Sequence, residues 1–407
     1  MKIQLADFKK ASKVLQKHIA PSPLIYNEWL SKQYNCEIYL KLENMLPIGS
    51  FKMRGATNKI SAMTAAEKKQ GVLAVSAGNH AQGVAWAAQK FGVKATIIMP
   101  EGSPLTKIKN TESLGAKVIL HGQSIEDGFD YAKELMKKKK MTFVHPYNDP
   151  AVIAGQGSVG FELIEQIPDM DFVFSSIGGG GLVSGLGSVI KELKPKVKIY
   201  AGQAAGCSSM VESIKRKRVY QTGIASTFAD GIRVKVVAEP IYNILKNVVD
   251  EVGAIEDEKI AWGVLQLLEK ARVIAEGAGA LPLALFDTFY KKNPNKFKNK
   301  KVVIVVCGGN IDVNLLERII DKGMIESNRK VRLLIPIIDR PGSLNHITGI
   351  IKDTGANILQ AIHDRESHTT GLTGTNVLFT LETKGGDHLE LLLKELRKEY
   401  PQTQVQS

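Results

Sequence analysis

Short hydrophobic runs alternate with longer amphipathic segments along most of the chain, beginning near residue 70. The runs are apolar on both faces, as expected for strands buried in a parallel sheet, and the segments between them have the spacing of helices. We therefore predict parallel βαβ units whose helices cover the sheet, in an α/β region that ends near residue 325. The predicted strands are 71–78, 95–100, 116–122, 141–146, 171–178, 197–204 and 302–309.

The pattern changes after the polar stretch 322–330, which we interpret as a linker between two domains. Beyond it we predict a helix after the turn at 339–342 and a second helix near 387–400. The strands around these helices would be 331–338, 357–364, 375–382 and a short last one in 401–405. This βαββαβ order describes a small α+β domain of residues 330–407, separate from an α/β region of residues 1–325.

Length and composition are those of an ordinary globular protein. A chain of 407 residues exceeds the size of a single core, and 44% hydrophobic with 23% charged residues excludes a disordered or fibrous protein. No apolar run is long enough to span a bilayer, and the acids and lysines among the first ten residues exclude an export signal, so we expect a cytoplasmic location. Cys36, Cys207 and Cys307 are too far apart in sequence for a disulfide framework or a CxxC metal site.

The net charge of +13 raises the question of a nucleic-acid partner. The basic clusters at 137–140, 215–218 and 291–301 are scattered and lack interleaved aromatic residues. We therefore interpret them as solvated surface and predict that the protein binds no nucleic acid.

Four consecutive glycines, Gly178–Gly181, lie between a predicted strand and a predicted helix. Glycines allow close backbone approach, and free N–H groups at a helix start suit a phosphate. The run matches neither GxGxxG, because Val183 replaces the third glycine, nor a P-loop, because no Gly-Lys-Ser/Thr follows. A tight strand-to-helix turn is the alternative, but the entropic cost of four glycines favours an anion site.

Three other strand ends or helix starts carry candidate chemistry. Lys52 begins a predicted helix close to Arg54, and both the helix dipole and this neighbour would lower its proton affinity, although an ordinary surface lysine fits the same pattern. Residues 76–83 join a strand to a helix and offer donors for an oxygen ligand, or simply cap the helix. Residues 307–310 end the last α/β strand. Ligands of open α/β sheets bind at such carboxyl ends, so we expect these segments to converge.

These segments resemble the pyridoxal-phosphate-dependent threonine/serine dehydratases, which have the tryptophan-synthase β-like fold. The matching motifs, in chain order, are PIGSFKMRGA, SAGNHAQG, HPYNDPAVIAGQG, SSIGGGGLVSG, AEGAGA and VCGGNID. The resemblance covers residues 1 to about 325. It implies the two-lobed open parallel-sheet architecture of fold type II, with a smaller lobe of roughly residues 52–150.

The resemblance also implies a bound pyridoxal 5′-phosphate. Lys52 would join the cofactor as a Schiff base, Phe51 would lie against one face of its ring, and Gly231 would face the other. The backbone N–H groups of one loop would hold the phosphate, namely those of Gly178, Gly179, Gly180, Gly181 and Leu182. This agrees with the anion site inferred from the glycine run alone.

Polar groups around the ring follow from the same resemblance. Asn79 would hydrogen-bond the ring 3′-oxygen, and Glu276 would contribute polar contacts near the cofactor. Ser76, with the backbone around Asn79 and His80, would bind the substrate carboxylate. Cys307 would face the pyridine nitrogen, where a neutral thiol makes the ring a weaker electron sink than a carboxylate would, which favours elimination.

The implied reaction is the deamination of L-threonine to 2-oxobutanoate and ammonia, with Lys52 removing the Cα proton, and L-serine would give pyruvate. A serine racemase is the first alternative, but this chain has Ala77 where racemases carry a second acid/base serine. A catalytically weak amino-acid sensor is the second, and the intact Lys52, Asn79 and glycine run argue against it. Gln203, Cys207 and Ser209 stand where the family's optional metal site has carboxylates, so we predict no metal.

The sequence IDRPGSLNHITGIIKDTGANI in the C-terminal domain resembles an ACT domain, a small regulatory module that binds amino acids. This implies an amino-acid effector near Pro341, Gly342, Asn357 and Ile358. A module that only mediates subunit contact remains the alternative, because a turn glycine is needed for the fold in any case. The resemblance also leads us to expect a homodimer or homotetramer.

Overall fold

The computed structural model describes residues 3–223, 225–365 and 374–406. The chain forms two compact units, Met1–Ile311 and Asp312–Ser407. The stretch 322–330, predicted as a linker, lies within the second unit, and its first half belongs to the helix Val313–Glu326. Lys322 and Glu326 are exposed on this helix, and such a charged helix face resembles a linker in sequence.

Strands are numbered here in chain order. They are β1 (Leu24–Tyr26), β2 (Glu37–Leu42), β3 (Val72–Val75), β4 (Ala95–Met99), β5 (Lys117–Leu120), β6 (Thr142–Phe143), β7 (Phe172–Ser176), β8 (Lys198–Ala204), β9 (Glu251–Ile255), β10 (Lys301–Val306), β11 (Lys330–Ile338), β12 (Asn357–Asp364), β13 (Gly374–Glu382) and β14 (Gln404–Gln406).

Helices are numbered in the same way, and none within the described residues is long and apolar enough to cross a membrane. They are α1 (Leu5–Leu15), α2 (Glu28–Tyr34), α3 (Lys52–Ser61), α4 (Ala65–Gln70), α5 (Asn79–Lys90), α6 (Leu105–Ser113), α7 (Ile125–Lys139), α8 (Pro150–Gln156), α9 (Ser158–Gln166), α10 (Gly181–Leu193), α11 (Ser209–Lys215), α12 (Glu239–Val248), α13 (Asp257–Gln266), α14 (Gly277–Lys292), α15 (Val313–Glu326), α16 (Ser343–Thr354) and α17 (Gly386–Glu399).

The first unit contains a six-stranded sheet in the order β1-β2-β10-β7-β8-β9. Neighbouring strands are parallel except for the antiparallel pair β1 and β2. The predicted strands β7, β8 and β10 are confirmed, and β10 lies centrally, with Ile304 beside both Leu40 and Phe174. The prediction missed β1, β2 and β9. β1 has only three residues and β9 is mostly exposed or half-buried, so neither shows the buried-strand pattern.

A second parallel sheet in this unit has the order β5-β4-β3-β6 and confirms the four strands predicted between residues 71 and 146. Its core joins α3 and α5 to the sheet through small buried side chains such as Ala56, Ala81 and Ala85. Such small residues let helices approach closely. The two sheets are therefore the frameworks of two lobes, as the predicted architecture requires.

The carboxyl ends of strands from both sheets lie around one crevice. β3 ends directly before Ser76, β7 ends before the glycine run, and β10 ends before Cys307. A hydrogen bond of 2.7 Å from Asn310 Nδ2 to Asn79 Oδ1 joins the segments that follow β10 and β3. The convergence predicted from the strand ends is thus confirmed.

The second unit contains a four-stranded antiparallel sheet in the order β12-β13-β11-β14. The elements β11, α16, β12, β13, α17 and β14 follow the predicted βαββαβ order. Leu333, Ile347, Phe379 and Leu392 belong to its core, where α16 and α17 pack against the sheet. The edge strand β12 is exposed along nearly its whole length.

Candidate active site

Lys52 is the first residue of α3, and the backbone before it is tied to the end of β10. Phe51 N donates to Cys307 O over 3.2 Å, and Ser50 forms an isolated antiparallel bridge with Gly308. These contacts belong to the motifs PIGSFKMRGA and VCGGNID, which are more than 250 residues apart in sequence. They place the start of the helix at the crevice.

Lys52 is half-buried at this crevice. Its Nζ atom donates to Pro146 O over 3.2 Å and lies 5.2 Å from the centroid of the Phe51 ring. Burial lowers the pKa of Lys52 to about 8, although Cys307 and Glu276 act in the opposite direction. About one amine in ten is then neutral at pH 7, a far larger share than for a free lysine. The unprotonated amine is the nucleophilic form, so Lys52 is prepared for attack on a carbonyl.

The predicted cause of this lowered pKa was partly wrong, because Arg54 does not act on Lys52. Its guanidinium pairs with two carboxylates, with Nε 2.7 Å from Glu43 Oε2 and Nη2 2.9 Å from Glu162 Oε2. Lys41 Nζ lies 2.6 Å from the same Glu162 oxygen. Two cations therefore face two anions, and the charge of Arg54 is balanced within this group. The low pKa of Lys52 arises from burial instead.

These four residues, Lys41, Glu43, Arg54 and Glu162, form a cluster that we call the ion cluster. The side chains of Lys41, Glu43 and Arg54 are almost completely buried, and that of Glu162 is mostly so. Ser158 Oγ accepts a further hydrogen bond from Arg54 Nη1 over 2.9 Å. The ion cluster thereby attaches the first turn of α3 to β2 and α9.

The glycine run forms the turn from β7 into α10, which begins at Gly181. Within the described part of the chain, the N–H groups of residues 178–183 donate to no backbone acceptor. They are free to bind an anion at the positive end of a 13-residue helix. The ring of Tyr147 lies against this loop, since a Cβ atom on Gly179 would stand only 2.1 Å from Tyr147 Cδ1. A side chain is therefore excluded at Gly179.

Asn79, Glu276 and Asn310 form a chain of hydrogen bonds across the crevice. Asn79 Nδ2 donates to Glu276 Oε1 over 2.7 Å, and Asn79 Oδ1 accepts from Asn310 Nδ2 over 2.7 Å. Burial, together with the nearby charge of Asp230, raises the pKa of Glu276 to about 7. Gly231 lies beside this carboxyl, because a Cβ atom there would be 3.1 Å from Glu276 Oε1. The predicted residues Asn79, Gly231 and Glu276 are thus brought together.

Ser76 and His80 flank the start of α5. Ser76 Oγ accepts from Gly78 N over 3.1 Å, so part of its capacity is used in the local turn. His80 Nε2 lies 2.8 Å from Val144 O, and burial lowers the pKa of this imidazole to about 3. Its ring is therefore neutral and engaged elsewhere. What this segment offers the crevice is the first two N–H groups of α5, which have no backbone acceptor among the described residues.

Cys307 lies at the carboxyl end of β10 and is almost fully buried. Its Sγ atom is 3.3 Å from Ser176 Oγ and donates to Ala278 O over 3.3 Å. Burial and the neighbouring Glu276 raise the pKa of the Cys307 thiol to about 12. The thiol is therefore neutral at physiological pH.

Ser176 and Asn310 have no role predicted from the sequence, although both lie within the matching motifs. Ser176 precedes the glycine run and contacts Cys307, and Asn310 contacts Asn79. A signal existed in each case, because both are polar residues at the carboxyl end of a buried strand. No pattern in the sequence could say which side chains they would face.

Proteins of similar sequence match nearly the whole chain. L-threonine ammonia-lyase of Thermotoga maritima is 44% identical over 388 residues, which are 95% of this chain and 96% of the relative. L-threonine ammonia-lyase of Geobacter sulfurreducens is 35% identical over 389 residues, with 96% of each protein covered. Alignments of this length extend into the second unit.

Two solved structures each cover more than three quarters of this chain. Threonine deaminase isoform 2 of Solanum lycopersicum superposes with a TM-score of 0.73 at 33% identity, covering 78% of this chain and 91% of that one. The serine racemase of Dictyostelium discoideum gives a TM-score of 0.72 at 31% identity, covering 76% and 99%. The fold is therefore shared by dehydratases and racemases.

A family model described as "Pyridoxal-phosphate dependent enzyme" matches residues 15–308, which is nearly all of the first unit. This range includes Lys52, the glycine run and Cys307, the residues that line the crevice. On this match and on the two relatives above, the chain belongs to the pyridoxal-phosphate-dependent enzyme family.

Proposed function

We propose that this protein deaminates L-threonine to 2-oxobutanoate and ammonia, and L-serine to pyruvate, with pyridoxal 5′-phosphate as cofactor. The observation that carries the proposal is the half-buried Lys52, whose amine has a pKa lowered to about 8, in the same crevice as a glycine loop whose N–H groups have no backbone acceptor. The 44% identity to an L-threonine ammonia-lyase, over nearly the full length of both chains, supports the choice of substrate.

The residues around the crevice fit this cofactor. The loop Gly178–Leu182 has free N–H groups for a phosphate, and Lys52 presents an amine for the aldehyde. The neutral Cys307 thiol suits an unprotonated ring nitrogen. Phe51 and Gly231 would then lie on opposite faces of the ring, with Asn79 and Glu276 at its edge. No charged side chain lies in the glycine loop, so backbone N–H groups would hold the phosphate.

When bound, the cofactor would supply an electron sink that makes the substrate Cα–H bond acidic. Lys52 Nζ would accept the Cα proton, because its pKa of about 8 lets the neutral amine exist near physiological pH. The free N–H groups at the start of α5, with Ser76 Oγ, would hold the substrate carboxylate. The β-hydroxyl is lost as water, which leaves an enamine. Hydrolysis of the enamine consumes one water and releases one oxoacid and one ammonia per threonine.

Initial rates of oxoacid formation from L-threonine and L-serine test this function directly. We expect purified enzyme loaded with cofactor to produce 2-oxobutanoate and ammonia in equal amounts from threonine, and pyruvate from serine. Loaded enzyme that releases neither oxoacid would contradict the proposal.

Racemisation is the competing activity, since a serine racemase is among the structural relatives. It requires a second proton donor opposite the lysine, and this chain has Ala77 at the predicted position. Ala77 packs partly buried against the core of the smaller sheet, and its methyl group exchanges no proton. We predict that incubation with L-serine yields pyruvate without D-serine, as measured by chiral chromatography. Accumulation of D-serine would contradict the role assigned to Ala77.

The second unit we propose to be an ACT-type regulatory domain that binds an amino acid. Its βαββαβ order and antiparallel sheet support this assignment. The proposed effector residues are exposed, with Pro341 and Gly342 directly before α16 and Asn357 and Ile358 at the start of β12. We also propose a homodimer or homotetramer, which the exposed hydrophobic side chains of the edge strand β12 support.

Effector binding can be measured by titration calorimetry with isoleucine and valine. We predict a saturable heat for at least one of them, reduced or lost in Asn357→Ala. The matched control is Asn247→Ala, which removes an exposed asparagine on α12 in the first unit and should leave the heat unchanged. Absence of heat with both amino acids, or an unchanged heat in Asn357→Ala, would contradict the proposed effector site.

A further inference from the structure

The amides of Asn79 and Asn310 are arranged so that only one orientation of each satisfies its neighbours. Asn310 Nδ2 lies 2.8 Å from Ile48 O and 2.7 Å from Asn79 Oδ1. A backbone carbonyl can only accept a hydrogen bond, so the NH₂ end of Asn310 must face Ile48. The second hydrogen of that NH₂ group then points to Asn79, which must present its oxygen in return.

The same logic fixes the other end of Asn79. With Oδ1 committed to Asn310, its Nδ2 faces Glu276 Oε1 over 2.7 Å. One Nδ2 hydrogen is used by this contact and the second remains available. The pair is closely confined, because a Cβ atom on Gly308 would stand 2.4 Å from Glu276 Oε1 and 3.1 Å from Asn79 Nδ2. A side chain at Gly308 would displace one of the two groups.

We infer that Asn310 is a positioning residue that orients the Asn79 amide, so that Asn79 presents a hydrogen-bond donor rather than an acceptor to the cofactor. The inference rests on the proposed function, in which Asn79 lies at the edge of the cofactor ring. The carbonyl of Ile48, four residues before Lys52, orients the Asn310 amide, and the Asn310 amide in turn orients the Asn79 amide. The segment that carries the lysine thereby also sets the polarity of the contact beside it.

The substitution Asn310→Asp tests this role, since a carboxylate has the shape of the amide but cannot donate. Its oxygens would repel Ile48 O and Asn79 Oδ1, and the Asn79 amide would turn and present its oxygen to the cofactor. An acceptor destabilises an anionic ring oxygen, so the midpoint of the pH titration of the cofactor's visible absorbance should rise by about one to two units. We expect kcat with threonine to fall by roughly 10- to 100-fold because the reacting groups are less well placed.

A double-mutant cycle with Asn79→Ala separates orientation from a general structural effect. Without the Asn79 amide there is nothing to orient, so Asn79→Ala and the double variant Asn79→Ala/Asn310→Asp should titrate at the same pH. Asn310→Ala, which removes both N–H donors without adding charge, should shift the midpoint in the same direction by less, and it replaces Asn310→Asp if that variant does not fold. Asn44→Asp is the matched control, because Asn44 Nδ2 donates to Ile274 O over 2.9 Å and does not hydrogen-bond Asn79.

An unchanged midpoint in both Asn310 variants would overturn the inference. The inference would also be overturned if Asn310→Asp shifted the titration midpoint equally in the wild type and in Asn79→Ala. These outcomes differ from failure of the proposed function, which would show as wild-type protein that binds no cofactor. The titration is followed by absorbance, so it is independent of turnover.

Discussion

Replacing Lys52 with alanine should reduce oxoacid formation from threonine by about 10³-fold or more, the scale expected when a proton-transfer group is lost. The neutral form of the Lys52 amine is accessible because its pKa is lowered to about 8. Alanine offers neither a nucleophile for the cofactor nor a base for the substrate. Initial rates with threonine would measure the loss, and the visible absorbance of the purified variant would report the lost covalent link.

Lys52→Arg is the matched control for charge. The guanidinium keeps a positive charge in the crevice but stays protonated, so it can act neither as nucleophile nor as base. We expect it to be as inactive as the alanine variant. Activity above a few per cent of wild type in Lys52→Arg would show that charge, not the amine, is what the site requires.

The substitution with the largest expected effect on stability is Arg54→Met. It removes one cation from the ion cluster and leaves the buried carboxylates of Glu43 and Glu162 with only Lys41 to balance them. Breaking a buried ion pair on one side costs about 3–5 kcal/mol, because the remaining charge stays buried without its partner. Urea unfolding should show this as a lower free energy of unfolding.

Lys32→Ala provides the comparison for a solvent-exposed pair. Lys32 and Glu28 are 2.6 Å apart on α2, but both side chains are more than two-thirds exposed. Water screens such a pair, so its loss should hardly change the free energy of unfolding. Equal urea midpoints for Arg54→Met and the wild type would show that the ion cluster does not stabilise α3.

Much of the first unit could be predicted from sequence because its strands are buried on both faces. β7 and β10 stand out as continuous apolar runs, and each is followed by a glycine-rich turn that indicates where the strand ends. The glycine run could be interpreted as an anion site without any structure, since the chemistry lies in the backbone. β9 could not be found in this way, because four of its five residues are exposed or half-buried.

The contacts between side chains that are distant in sequence could not be predicted. Arg54 lies near Lys52 in sequence, but its partners Glu43 and Glu162 come from elements on either side along the chain. Local spacing therefore suggested an electrostatic effect that the fold cancels. Likewise, Asn310 lies in a motif that was singled out, but its contact with Asn79 spans 231 residues of sequence. Only the tertiary structure brings such groups within hydrogen-bond distance.

The most direct test of the central claim is to locate the cofactor on the chain. Reduction of the loaded enzyme with borohydride, digestion and mass spectrometry would identify the lysine that carries it. Lys52 is the expected residue, since its amine has a lowered pKa and lies in the crevice with the glycine loop. A cofactor attached to any other lysine, in protein that forms 2-oxobutanoate from threonine, would contradict the account.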